Sequence, residues 1–210
     1  GVVPYALLAL ASLCWAGNHV LGRAIAGSIP PFAISTVRWA VPTLILLPFV
    51  WPHFRRDWPQ IRSHLMPIFL LAALGGGVFG VLQYIGLQHT TAINVSVLNS
   101  LSPVLIAVAA AALFGERLTP VQTFGVTMSL GGVLAIVCRG DLGELARLSF
   151  NLGDLIIIFN MVVFGVYSAC LRVRPAIHWL SWMFLFALIS TLVTLPGFII
   201  EYRSGNVLIP

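Results

Sequence analysis

Apolar positions run in long uninterrupted stretches along this chain, and the clearest two flank residues 115–120. Residues 92–114 hold 23 positions without one ionisable side chain, whereas a helix needs only about 20 to cross the hydrocarbon of a bilayer. A second run, 119–138, follows a six-residue turn carrying Glu116 and Arg117. Together they predict a membrane hairpin. The same pattern along the whole chain predicts seven spans, at about 3–26, 30–50, 64–88, 92–114, 119–138, 152–171 and 178–200. The links 27–29, 88–91 and 115–120 are so tight that the helices they join must be antiparallel. Thr119 followed by Pro120 supplies an N-cap and a proline at the first helical position, a start signal for the fifth span. Residues 51–63 and 139–151 are expected as the two longer loops.

Composition settles the class. Of the 210 residues 59% are hydrophobic and only 8% charged, with mean hydropathy +1.00, against about 25% charged in soluble domains. Helices and closed barrels alone satisfy their backbone within lipid, so the expected fold is all-α, a polytopic transmembrane helix bundle with the lipid bilayer as its partner.

Charge orients it. The chain has eleven arginines and no lysine, and basic residues near span ends are retained on the cytoplasmic side. Under the seven-span count Arg55, Arg56, Arg62, Arg117, Arg172 and Arg174 fall on one side, Arg23, Arg139, Arg147 and Arg203 on the other, and Arg38 inside a span. The dense cluster WPHFRRDWPQIR puts the loop after the second span, and the amino terminus, in the cytoplasm. The net charge of +5 then reads as loops facing anionic lipid, and the scattered arginines give no nucleic-acid stripe. Cys14, Cys138 and Cys170 lack metal-ligand spacing and read as small apolar packers. No metal or cofactor motif and no constellation for membrane-embedded catalysis is present.

Sliding the chain by 149 positions lays the sixth span on the first and the seventh on the second without a gap, setting Trp15 over Phe164, Arg23 over Arg172 and Phe49 over Phe198. In both pairs an arginine ends the first span and a short turn leads into a second of similar length. A repeat of five spans is odd, so its second copy enters the membrane from the opposite side, the inverted arrangement of secondary transporters. The expected domains are a complete first repeat at 1–138, an inter-repeat loop at 139–151 and the start of a second repeat at 152–210. The chain begins at Gly1 and stops just after a span. It is therefore expected to be trimmed, with the missing helices supplied by the same longer chain or by a second copy.

The runs YALLALASLCWAGNHVLGRAI, PPFAISTVRWAVPTLILLP and FGVLQYIGLQHTTAINVSVLNSLSPVLIAVAAAALFGERLTPVQTFGVTMSLGGVLAIV, in that order, resemble the EamA-type repeat of the drug/metabolite transporter superfamily over about residues 5–138. The order of Leu-Ser-Pro, Gly-Glu-Arg-Leu-Thr and a Gly-Gly-Val helix carries the resemblance. It implies ten helices in two inverted repeats, a multi-pass protein of the bacterial inner membrane, and export of amino acids or related small metabolites. An exchanger of sugar phosphates or nucleotide sugars is the alternative within the superfamily, although the absence of lysine argues against it. A receptor or assembly subunit is the alternative outside it.

Substrate in such transporters sits near the midplane between the repeats. Helix faces that repeat polar or aromatic residues at three- and four-residue intervals are therefore the candidates. The first span offers Trp15, Asn18 and His19, and the sixth offers Asn160, Phe164, Tyr167 and Ser168. The third span adds Gln83 and Tyr84, beside a Gly76/Gly80 pair read as a helix-packing notch. Ser96, Asn99 and Pro103 form a stripe on the fourth, with Pro103 expected to kink it. For each the simpler reading is an interhelical polar or aromatic contact. Arg38, deep in a span, is expensive unless it meets a partner, carbonyls or water; it is either a structural clamp or an attractor for a substrate carboxylate. Glu116 and Arg117 are expected to brace the turn after the fourth span. His19 is the one mid-span group suited to proton coupling.

Overall fold

In the computed structural model the described residues are 3–116, 118–137 and 151–205. They are helical almost throughout. The helices are α1 (Val3–Ala24), α2 (Pro31–Ser63), α3 (Leu65–Ala72), α4 (Phe79–His89), α5 (Ala92–Asn99), α6 (Ser102–Phe114), α7 (Pro120–Val137), α8 (Leu152–Cys170) and α9 (Trp179–Arg203). A π-helical turn, Ala73–Val78, joins α3 to α4, and a 3-10 turn, Leu171–Val173, follows α8. Five helical segments among the described residues are long and apolar enough to cross a membrane, and the bent pair α5 and α6 makes a sixth if it forms one span. The 18-residue α7 stands where the fifth span is expected. Cys138 and most of the 139–151 loop lie outside the described residues.

One expectation is corrected. Residues 51–63 are not a loop but the last part of α2, which runs for 33 residues despite Pro42, Pro48, Pro52 and Pro59. At about 1.5 Å per residue it is about 50 Å long, well beyond the roughly 30 Å of hydrocarbon, so the end bearing Arg55, Arg56, Asp57 and Arg62 projects from the apolar layer. Each interior proline removes a backbone donor and crowds the carbonyl four residues back, a cost that membrane helices bear where neighbouring groups or water meet the freed carbonyl. The charges and prolines that read as a loop decorate a helix instead.

Local chemistry accounts for the ends and breaks. The chain bends by 41° between α5 and α6. Pro103 has no N–H to give the carbonyl four residues back, and the Ser102 hydroxyl donates to that Asn99 carbonyl instead. Pro103 thus opens α6 rather than kinking a continuous helix. Gly115, at φ 67°, ends α6 in the left-handed region that glycine alone enters without a Cβ penalty. Thr119 and Gln122 then cap α7 reciprocally: the Thr119 N–H donates to Gln122 Oε1 at 2.9 Å, and the Gln122 N–H to Thr119 Oγ1 at 3.3 Å. Asn151 and Asp154 make the same box at the start of α8.

The interior is organised around α3, the π turn and α4, which pass between α9 and α8. On the α9 side Ile61, Ile68, Leu71, Ala72, Trp182, Leu185 and Phe186 form one buried cluster. Lipid tails are as apolar as these side chains, so close approach rather than hydrophobicity must hold the helices. Glycine supplies that approach: a Cβ on Gly76 would fall 1.9 Å from Ser190 Oγ, and one on Gly77 2.8 Å from Val193 Cγ1. α9 runs antiparallel to α2. Glu201 near its end accepts from the Phe32 and Ala33 N–H groups at 3.2 and 2.9 Å, and His178 before its start donates its N–H to Asp57 at 2.9 Å.

Candidate functional site

On the other side of α4 the packing opens into a cavity of about 200 Å³, lined by Cys14, Trp15, Asn18, His19, Arg38, Phe79, Gln83, Asn99, Ser102, Met161 and Phe164. α1, α2, α4, α5, α6 and α8 all contribute. The polar stripe of α1 points into it, as the helical spacing of Trp15, Asn18 and His19 requires. Asn18 Oδ1 accepts from the Tyr84 hydroxyl at 2.9 Å, and His19 Nε2 lies 3.3 Å from Asn99 Nδ2. Trp15 stands edge-on to Phe164 with centroids 5.8 Å apart, and Phe79 adds a third ring, 5.1 Å from Phe164. The two residues that the 149-residue shift superposes are therefore in contact across the cavity.

Behind this layer lies a second one. Buried Asn160 donates to Gln83 Oε1 at 2.9 Å. Tyr167 packs on Phe164 and Phe186 and against Gly75, whose absent Cβ would meet the tyrosine ring at 2.4 Å. Trp39 donates its indole N–H to the Gly76 carbonyl in the π turn at 2.9 Å, which fixes the ring beside Arg38. The Arg38 guanidinium lies 4.9 Å from the Trp39 ring and 5.5 Å from the Tyr84 ring.

Of the sequence candidates, Trp15, Asn18, His19, Arg38, Gln83, Asn99 and Phe164 line the cavity; Tyr84, Asn160 and Tyr167 support its walls. Three do not reach it. Ser96 is exposed and turns its hydroxyl back to the Ala92 carbonyl. Pro103 borders a different groove, shared with Gln122, Gly125 and Ser129 of α7. Ser168 lies one helical turn beyond Phe164, outside the lining. Cys14, Phe79, Ser102 and Met161 are additions. Nothing in an all-apolar stretch tells which residue faces lipid and which a cavity, but Ser102 next to Pro103 was a usable sign of a break.

Both ends of the bundle carry their own polar contacts. At one end Arg23 donates to the Leu87 carbonyl at 2.7 Å, and Thr90 donates to Asp154 at 2.6 Å. At the other, Glu116 pairs with Arg172 of α8's 3-10 extension, and that guanidinium lies over Phe114. The turn is thus braced across the two halves of the chain, while Arg117 lies outside the described residues. Among the described residues no cluster of three His, Cys, Asp or Glu side chains is placed to hold a metal ion.

An apolar helical bundle whose long helices can cross a membrane, with a partly polar cavity among broken and π-bulged helices, is that of a multi-pass membrane protein. The chain belongs to the EamA-like transporter family, whose model matches residues 3–138, and so to the drug/metabolite transporter superfamily. Among relatives, it is 28% identical over 109 residues to the uncharacterized transporter YyaM of Bacillus subtilis, covering 52% of this chain and 36% of that one. It is 28% identical over 163 residues to an uncharacterized transporter of Archaeoglobus fulgidus, covering 77% and 55%. With the B. subtilis uncharacterized transporter YetK it shares 24% identity over 197 residues, covering 93% and 57%. The chain thus spans between about a third and somewhat over half the length of these relatives. No solved structure matches it.

Proposed function

We propose that the protein exports amino acids or related small metabolites from the cytoplasm by alternating access through the cavity between two inverted repeats. The observation that carries the reading is the cavity itself, of about 200 Å³ and bounded by helices from both halves of the chain. It is below the roughly 300–1,000 Å³ of sites for drug-sized ligands, so it suits a small metabolite. Its amides, imidazole and hydroxyl fit hydrogen-bonding solutes, and its three rings fit an apolar side chain. The contact between the superposed Trp15 and Phe164, and the antiparallel pairing of α2 with α9, favour a two-fold axis in the membrane plane. In this reading the amino terminus is cytoplasmic, the membrane is the bacterial inner membrane, and the remaining helices come from the same longer chain or a second copy.

The test is export from cells preloaded with radiolabelled amino acids, repeated in proteoliposomes. Faster loss of label from expressing cells, abolished by Trp15→Ala with unchanged membrane abundance, is the expected result. Efflux equal to that of empty-vector cells for every amino acid, from a well-inserted protein, overturns it.

A further inference from the structure

Six buried side-chain polar atoms have no hydrogen-bond partner among the described residues, and four belong to the cavity or its immediate backing: Arg38 Nε, Gln83 Nε2, Asn99 Oδ1 and Asn160 Oδ1. Such atoms are rare in folded proteins, and in lipid they are costlier still. Arg38 is the sharpest case. A guanidinium presents five N–H donors and stays charged, and within a span it should be paired. Even two exposed arginines at the helix ends are paired: Arg23 holds two carbonyls and Arg172 holds Glu116. Arg38 has only the faces of Trp39 and Tyr84, which hold the charge in place but satisfy none of its donors.

No described carboxylate is available to it. Asp57 accepts from the His178 amide, Glu116 pairs with Arg172, Asp154 accepts from Thr90 and Asn151, and Glu201 caps α2. All four sit at helix ends. The cavity lining contains one permanent cation and no acidic residue.

The wall beside Arg38 is cut to leave that cation room. A Cβ on Gly80 would stand 2.7 Å from Arg38 Nη2, so α4 recedes where the guanidinium lies. Three residues on, one helical turn away on the same face, Gln83 is 2% exposed, gives its Oε1 to Asn160 and keeps its Nε2 donor unused. The apolar part of the lining is Phe79 of α4 itself with Trp15, Met161 and Phe164 from α1 and α8.

We propose that Arg38 and Gln83 form an anion subsite that selects small carboxylates bearing an apolar or aromatic group, and that organic cations are rejected. The inference rests on the cavity being the transport site. A guanidinium and an amide N–H together offer a carboxylate charge-assisted hydrogen bonds, while the rings and Met161 receive the apolar end. A single cation matches one carboxylate charge; a phosphate dianion would leave a charge unpaired in a low-dielectric site.

The experiment is calorimetric binding to the protein in lipid nanodiscs with four probes sharing one ring: phenylacetate, 2-phenylethanol, phenethylamine and phenyl phosphate. Phenylacetate should bind at least about 10-fold more tightly than the alcohol and the phosphate, with no detectable binding of the amine. Arg38→Gln should weaken phenylacetate about 10- to 100-fold, to the level of the alcohol, whose affinity stays within about 2-fold. Gly80→Ala, whose added methyl crowds only the flexible end of Arg38, at 2.7 Å, and otherwise makes an ordinary 3.5 Å contact with Ser35 Oγ, should weaken phenylacetate alone, and it carries the test if Arg38→Gln does not fold. Equal binding of phenethylamine and phenylacetate, tighter binding of phenyl phosphate, or phenylacetate affinity unchanged in the folded variants overturns the subsite, as does no binding of any probe. Selective phenylacetate binding without flux in proteoliposomes leaves the subsite standing and removes the transport reading.

Discussion

The two sides of the span formed by α3, the π turn and α4 solve different problems. Toward α9 the seam is apolar: Gly76 and Gly77 admit Ser190 and Val193, Thr36 of α2 donates to Thr194 at 2.9 Å, the Ser190 hydroxyl returns to carbonyls, and the groove left beside them, about 240 Å³, is walled mainly by Phe32, Val81, Leu82, Ile85 and Val193. Away from α9 the same span presents Phe79 and Gln83 to a cavity that holds unpaired polar atoms, with Gly80 and Tyr84 backing its wall against Arg38 and Asn18. One glycine notch admits a neighbouring helix; the other, a single helical turn later, admits a guanidinium. Small residues in a membrane helix therefore do not by themselves announce a packing interface.

Substitutions separate the two sides. The largest effect is expected from Gly76→Leu, because even its Cβ falls within 1.9 Å of Ser190 Oγ and 2.9 Å of Phe186 Cε1; overpacking costs about 3 kcal/mol. The monodisperse peak on size exclusion should vanish, and a normal peak would mean that the seam is looser than described. Glu201→Ala removes the acceptors at the start of α2 and should lower stability by about 1–2 kcal/mol, read from the thermal melt in detergent. On the cavity side, Gln83→Leu should cut transport about 10-fold while costing only about 0.6 kcal/mol for the lost bond to Asn160. A melt lowered as far as that of Glu201→Ala would erase the distinction between the two sides. Thr36→Val, on the α9 seam, should cost about 0.6 kcal/mol and leave transport rates intact. Smallest is Glu116→Gln: its pair with Arg172 is half exposed on both sides, and exposed pairs contribute about 0.5 kcal/mol or less, so the melt should barely move.

Five spans, and a sixth if α5 and α6 form one, were legible because 20-residue apolar stretches have one physical use, and the α6 to α7 turn because glycine, threonine and proline act locally. The α1 stripe was legible too, since Trp15, Asn18 and His19 share a face in any helix. The extension of α2 was not: its prolines and arginines look like a loop, and only the continuity of the backbone shows that four missing donors do not stop it. Pro103 misled in the opposite direction, drawing attention to a stripe whose outer members, Ser96 and Pro103, turn away once the chain bends. The two sides of α4 could not be told apart at all. Which glycine faces Ser190 and which faces Arg38 depends on partners more than 100 and about 40 residues away in sequence.

The amino-terminal end of α2 adds a chronological consequence. Pro30 offers it no side-chain cap, and the two amides at Phe32 and Ala33 are met by Glu201, 169 and 168 residues later. In return the start of α9 is met by Asp57 near the end of α2, 121 residues earlier. The two differ in what they carry locally: α9 also has its own cap, the Leu180 N–H donating to His178 Nδ1 at 3.3 Å, whereas α2 has no side-chain cap nearby. During synthesis the first turn of α2 can gain its Glu201 partner only after α9 has been made. Insertion of the early helices and completion of their structure are therefore separate events in the life of this chain.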